Sequence, residues 1–236
     1  HRQNALHIPD KELWEAHTYL KTEMITKLNN EYGFSLNPDY LTITWARRFA
    51  TYKRPDLIME NIDRLLALVA NDSRPLQVIV SGKAHPKDVD GKNMMSRIYM
   101  LMKDERFKKR LVFVPNYQIS TARHLVSGSD VWLNTPFVMT EASGTSGMKA
   151  ASNGVLQCST PSGWVLEVDW KDKGFMMMSE NAGSELYDLL EKQIIPLYYD
   201  RNAENIPDKW VGNMKRTIAA VCPEFSTKRT LKEYFD

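Results

Sequence analysis

Five short runs constrain this chain more than anything else in it. They are "YLTITWA" (40–46), "LQVIVSG" (76–82), "RLVFVPNY" (110–117), "DVWLN" (130–134) and "VLQCS" (155–159). Each is rich in β-branched or aromatic residues and is apolar almost throughout, with no polar alternation. A strand that is apolar on both sides has to be covered on both faces. Stretches with a helical period separate the runs: the apolar face Leu57, Ile58, Ile62, Leu65, Leu66 and Val69, then "NMMSRIYMLM", "STARHLVSG" and "GMKAASNG". Strands alternating with helices in this way predict an α/β fold with a doubly wound parallel sheet, Rossmann-like in architecture.

The remainder reads as helix. Asp10 is expected to cap a helix with the stripe Leu13, His17, Leu20, Met24 and Leu28. Pro55 is expected at a helix start, and Gly128 as a helix terminator. "GSELYDLLEKQIIPLYYD", "PDKWVGNMKRTIAAV" and "STKRTLKEYFD" give three closing helices. The expected organisation is a leading helix over 1–30, a Rossmann-like core over 31–182 and a helical extension over 183–236 packed on the same domain.

Composition matters here for what it excludes. The formal net charge of +2 over 236 residues gives no case for nucleic acid. No apolar run approaches the roughly 18 residues of a membrane span. No secretory signal pattern is visible. Two cysteines, Cys158 and Cys222, and five scattered histidines show no ligand spacing, so no metal is expected and a cytoplasmic setting fits reduced thiols. The chain opens on His1, mid-phrase in "HRQNAL", which reads as a piece of something longer.

A doubly wound sheet binds ligands at the carboxyl ends of its strands. Four loops lie there. "ARRFATYKRP" packs Arg47, Arg48, Lys53 and Arg54 into eight residues, placed either for phosphate or as a solvated basic turn. "SGKAHPKD" lacks the spacing of a phosphate loop. "VPNYQISTAR" offers Asn116 and Tyr117 as hydrogen-bonding groups. "EASGTSGMKAASNG" puts small residues and amide donors at a helix start, where anions bind. Glu141 in that stretch is suited to sugar hydroxyls, and Lys149 lies about a turn inside the helix.

Together, "ARRFATYKRP", "GKAHPKD", "NYQISTA", "DVWLN" and "EASGTSGMKAASNG", in this order, resemble the α-glucan (glycogen, starch and maltodextrin) phosphorylases, most closely their shorter bacterial and archaeal branch. The closing "PLYYDRN" and "IPDKWVGNMKRTI" fit the same branch. The resemblance implies the carboxyl-terminal domain of a two-domain glycosyltransferase B-type fold. It implies reversible transfer of a glucosyl unit from an α-1,4-glucan to inorganic phosphate, giving glucose 1-phosphate with retention. It further implies pyridoxal 5'-phosphate held as a Schiff base on Lys149, with the cofactor's phosphate, not its ring, in proton transfer.

By position, Arg47 matches a lysine on the cofactor phosphate and Arg48 an arginine on the substrate phosphate. Lys53 matches a lysine on both, and Tyr117 a tyrosine beside the cofactor. Glu141, Ser143 and Gly144 match the glucose-contacting stretch, and Thr145 and Ser146 the groups near the phosphates. Arg48 and Lys53 are thus the expected catalytic pair. The missing amino-terminal half is the implied partner, without which little activity is expected. Homo-oligomer formation stays open. Three departures touch the substrate contacts: Gln118 after the tyrosine, "TPFVMT" where a basic pair is usual, and "SGWVLEVDW" after "NGVL".

Electrostatics gives the basic loop a purpose. Two phosphate dianions about 5 Å apart repel by roughly 13 kcal/mol at an effective dielectric near 20, and by roughly 3 kcal/mol if each carries one unit. Arg47, Arg48, Lys53 and helix-end amides can offset the second figure. Two alternatives share the architecture: a nucleotide-sugar-dependent glucan synthase domain, which has no use for a Schiff-base lysine, and a non-catalytic glucan-binding remnant, which has no need of so many retained cations.

Overall fold

The computed structural model describes residues 2–115 and 117–235. Six strands form one all-parallel sheet: β1 (Leu41–Ala46), β2 (Leu76–Gly82), β3 (Leu111–Pro115), β4 (Val131–Asn134), β5 (Leu156–Ser159) and β6 (Gly174–Met176). Their order is β3-β2-β1-β4-β5-β6, so the winding reverses between β1 and β4. The first five are the five apolar runs. The sixth has three residues, too few to show a period, and was not expected.

The reason for the unbroken apolar runs is visible in the packing. Val78, Val80, Leu111, Phe113, Val131 and Leu133 enter one core, while Ile79, Val112, Val114 and Trp132 enter another on the opposite face. The first core is closed by α2 (Ile62–Val69), α3 (Val89–Met102), α6 (Ala182–Leu189), α7 (Ile195–Tyr199) and α8 (Asp208–Glu224). The second is closed by α1 (Asp10–Tyr32), α4 (Ile119–Gly128) and α5 (Thr145–Ser152). A π-helical turn, Leu190–Ile194, joins α6 to α7. The last helix, α9 (Thr227–Phe235), buries none of its side chains.

Several local expectations are corrected. Pro9, not Asp10, occupies the cap of α1, and Asp10 instead pairs with Lys215 of α8. Pro55 stands between two 3-10 turns; α2 begins at Ile62, capped by the Asn61 side chain, which accepts from the Arg64 amide. Gly128 ends α4 without a left-handed cap. A β-carbon there would lie 2.7 Å from that of Met24, so its smallness lets α4 approach α1.

On α1 the unexpected buried residue is Lys21, 1% exposed. Its ammonium donates to Asp130 Oδ2 (2.5 Å), the Tyr40 carbonyl (2.6 Å) and the Tyr198 hydroxyl (2.8 Å). Three acceptors for three hydrogens is the full capacity of a charged lysine. His17 Nε2 lies 2.8 Å from Asp130 Oδ1, and the Thr42 amide donates to Oδ2. Burial alone would push the Asp130 carboxyl up, but Lys21 and His17 outweigh it and hold it below its ordinary value. The cluster ties α1, β1, β4 and α7 together at the amino edge of the sheet.

Removing one partner of a buried ion pair strands the other. Lys21→Met is therefore expected to destabilise the fold by about 3–5 kcal/mol. Urea denaturation at neutral pH measures it, and a loss below about 1 kcal/mol would show that the cluster holds nothing together.

Candidate functional site

The carboxyl ends of β1 and β4 open the crevice at which a doubly wound sheet binds its ligand. Arg47 continues β1, its amide bonded to the Ser81 carbonyl. A β-carbon at Gly82 would meet the Arg47 carbonyl at 2.1 Å, so glycine is what lets this extension lie across the end of β2. The chain then makes a 3-10 turn, Thr51–Lys53, that carries Lys53 back inward.

Both cations end on one carboxylate. Arg47 Nη1 donates to Glu141 Oε2 at 2.7 Å, and Lys53 Nζ to Glu141 Oε1 at 2.9 Å. All three side chains are at most 10% exposed. Burial by itself would raise the Glu141 carboxyl, but Arg47 and Lys53 overcome it and hold the group below its ordinary value. Arg47 Nε is buried with no hydrogen-bond partner. Tyr117 is half-buried beside this cluster: burial raises its hydroxyl and the charge of Arg47 pulls the other way. Asn116 lies outside the described residues.

Two groups whose part in the site the sequence did not reveal set this geometry. The buried Thr135 hydroxyl takes a hydrogen bond from Trp45 Nε1 (3.0 Å) and reaches the carbonyls of Lys53 (2.8 Å) and Arg54 (2.9 Å). Arg54 donates back to the Thr135 and Pro136 carbonyls and lies over the Phe137 ring. Thus the turn that bears Lys53 is bolted to the end of β4. The only hint in the sequence was the neighbouring basic cluster.

The second group is the segment after β5. The Glu141 amide donates to Ser162 Oγ (2.8 Å), and the Trp164 amide to the Ser143 carbonyl (3.0 Å). Gly163 has φ +63, and a β-carbon there would meet the Ser143 carbonyl oxygen at 2.2 Å. Trp164 packs against Gly147, whose added β-carbon would lie 2.9 Å from the indole nitrogen. "SGWVLEVDW" therefore forms the floor beneath the "EASGT" loop.

Gly144, at φ +90, turns the chain into α5. That start has no side-chain cap, so the first amides of α5, at Thr145 and Ser146, are without intrahelical acceptors. Ser143, Gly144 and Ser146 are half-buried, while Arg48, Thr145 and Lys149 are exposed. Lys149 thus stands on the outward side of α5. No cluster of three or more His, Cys, Asp or Glu side chains suited to a metal occurs among the described residues, and none of their helices is long and apolar enough to cross a membrane.

A sequence model of the family described as carbohydrate phosphorylase matches residues 7–174. The chain belongs to the carbohydrate phosphorylase family. It is 38% identical to a glycogen phosphorylase of Aquifex aeolicus, over 97% of this chain and 37% of that protein. It is 40% identical to a maltodextrin phosphorylase of Thermococcus litoralis, over 97% of this chain and 30% of that protein. A glycogen phosphorylase of Mycobacterium tuberculosis is 36% identical over 86% of this chain and 25% of its own length. The chain thus spans between a quarter and somewhat over a third of the length of these phosphorylases.

In this phosphorylase chain Glu141 does something the sequence did not suggest. It neutralises one of the two inward cations, so Arg47, Lys53 and Glu141 together carry one positive charge. The exposed Arg48 adds a second. Because the folded-state value of Glu141 is depressed below the ordinary 4.5, its contribution is complete above that pH and is lost as the pH falls through the folded value. Glu141→Gln is expected to cost about 2 kcal/mol at neutral pH, the scale of a charged hydrogen bond. The gap between wild type and variant should narrow on acidification, read from unfolding free energies on either side of the carboxylate range. A gap constant with pH would mean that the carboxylate is not held by these cations.

Proposed function

We propose that this chain is the cofactor- and phosphate-holding part of an α-1,4-glucan phosphorylase. The enzyme reversibly transfers a glucosyl unit from glucan to inorganic phosphate, giving glucose 1-phosphate with retention. The observation that carries the reading is the convergence of Arg47 and Lys53 on Glu141 at the β1–β4 crevice, with Lys149 on the helix that opens there.

The donor set fits pyridoxal 5'-phosphate. Lys149 is an exposed primary amine able to tether its aldehyde carbon. The buried, partnerless Nε of Arg47 and the uncapped amides of Thr145 and Ser146 suit its phosphate. Tyr117, half-buried beside Arg47, would flank the ring. When bound, the cofactor supplies a second phosphate that exchanges a proton with the substrate phosphate.

The other roles belong to the chain itself. Arg48, which forms no ion pair among the described residues, is free to take the substrate phosphate, and Lys53, held on Glu141, would serve both anions. Ionised Glu141 has about four acceptor positions, of which two are used, so glucose hydroxyls can share it with the cations. Ser143 and Gly144 border the same hydroxyls. Its two cations keep the carboxylate ionised while it does so. The core over 31–182 would thus hold the chemistry and the extension over 183–236 would brace it, while the rest of the protein would close the crevice and exclude water.

Borohydride reduction of the full-length enzyme followed by peptide mass mapping is expected to place a pyridoxyl adduct on Lys149. Lys149→Ala should abolish both the adduct and phosphorolysis. An adduct on another lysine, or full activity in the variant, overturns the reading. The 236-residue chain alone, supplied with glucan and phosphate, is expected to release almost no glucose 1-phosphate.

A further inference from the structure

Among the described residues six arginines ion-pair with carboxylates: Arg47, Arg64, Arg97, Arg106, Arg110 and Arg229. Among the remaining described arginine side chains, Arg48 and Arg54 stand at the carboxyl edge of the sheet, and Arg123 lies on α4. The other three, Arg74, Arg201 and Arg216, line a single groove of about 1090 Å³. This groove is at the opposite edge of the sheet. Arg74 lies just before β2, and Gly174, which begins β6, forms part of the wall, as do α7 and α8. The groove therefore shares no side chain with the crevice described above.

Two of the three guanidinium groups are held in place by uncharged partners. Arg201 is stacked on Trp14 and Tyr198, 4.8 and 4.7 Å from their ring centroids, and reaches the Asn205 carbonyl. Arg216 donates through Nε to the Asp172 carbonyl (2.8 Å) and through Nη2 to Asn213 Oδ1 (2.5 Å). Its Nη1 and Nη2 lie 3.3 Å from where a β-carbon on Gly212 would sit, so the missing side chain lets the guanidinium lie flat along α8. The two lysines of the groove are already engaged, Lys209 with Asp200 at 2.8 Å and Lys192 with Asp188 at 3.1 Å. Asp172 and Asp208 also line the groove and ion-pair with none of the described cations, so with the two lysine pairs set aside the three guanidinium groups leave an excess of one positive charge. A planar fork of N–H donors matches the oxygens of a phosphate group, and groups fixed in advance bind at lower entropic cost. Gln193, Asn213 and Asp172 in the same lining can exchange hydrogen bonds with hydroxyl groups.

We propose that this groove is a second anion site, which takes a phosphate monoester with a hydroxylated body. It is independent of the assignment of the β1–β4 crevice and of any cofactor there. Its volume is large enough for a ligand of sugar-phosphate or nucleotide size.

The test uses the full-length protein, with glucose 6-phosphate as the probe and glucose as the uncharged control. Hydrogen–deuterium exchange is followed by mass spectrometry. Glucose 6-phosphate, and not glucose, is expected to slow exchange saturably across residues 190–216. The double variant Arg74→Gln/Arg216→Gln should weaken this protection at least about tenfold, the scale of one or two lost charge-assisted hydrogen bonds. Both side chains are exposed, and exchange elsewhere in the variant reports its folding; Arg216→Gln alone serves if the double variant is unstable. Protection confined to residues 141–152, protection insensitive to the substitutions, equal protection by glucose, or none in 190–216 would each overturn the proposal.

Discussion

Two carboxylates pin the seam between β1 and β4, and the arrangement of the chain around its site depends on them. The seam is thin. β1 and β4 share two register pairs, Ile43 with Val131 and Thr44 with Trp132, whereas β1 and β2 share six. Yet this is where the sheet reverses its winding and where the ligand crevice opens. At the amino end of the seam, Asp130 on the β4 side holds the Thr42 amide of β1 together with Lys21 and His17 of α1. At the carboxyl end, Glu141 from the β4 loop holds Arg47 and Lys53 from the β1 loop. Each carboxylate is buried or nearly so, and each is held below its ordinary value by its partners, Lys21 and His17 for Asp130 and Arg47 and Lys53 for Glu141.

The two ends differ in what is left over. Around Asp130 every hydrogen of the Lys21 ammonium has an acceptor, and Tyr198, Trp14 and Arg201 stack over the cluster. One atom at that end, His17 Nδ1, is buried without a hydrogen-bond partner. Around Glu141 more is left over: Arg47 keeps an unused buried donor, α5 begins without a cap, and Arg48 and Lys149 face outward. A buried donor without a partner is unfavourable unless something arrives to use it. The open end is the one expected to bind, and its three buried groups leave a single net positive charge for an anion.

The apolar runs told the fold class because a strand buried on both faces has no position to spare for polar residues, and all five such runs became strands. β6 escaped because three residues carry no period and its pairing comes entirely from β5. Glycines were visible, but their reasons were not. Gly82, Gly128 and Gly163 each admit a close neighbour from a distant part of the chain, Arg47, Met24 and Ser143 respectively, and no local pattern announces such a contact. Nothing in the sequence set Lys21 apart, since its partners Asp130 and Tyr198 are 109 and 177 residues away.

The sequence by itself determined the doubly wound sheet, the edge at which chemistry would gather, and the residue types gathered there, since these follow from periodicity and from motifs held within short stretches. Only the tertiary structure decided who faces whom. It turned Glu141 from a sugar contact alone into the counter-ion of Arg47 and Lys53, made Thr135 and Trp164 the supports of the site, and brought three arginines without carboxylate partners into one distant groove. Charge pairing depends on distance in space, and residues 88 or 94 positions apart along the chain become neighbours only when the strands that carry them lie side by side.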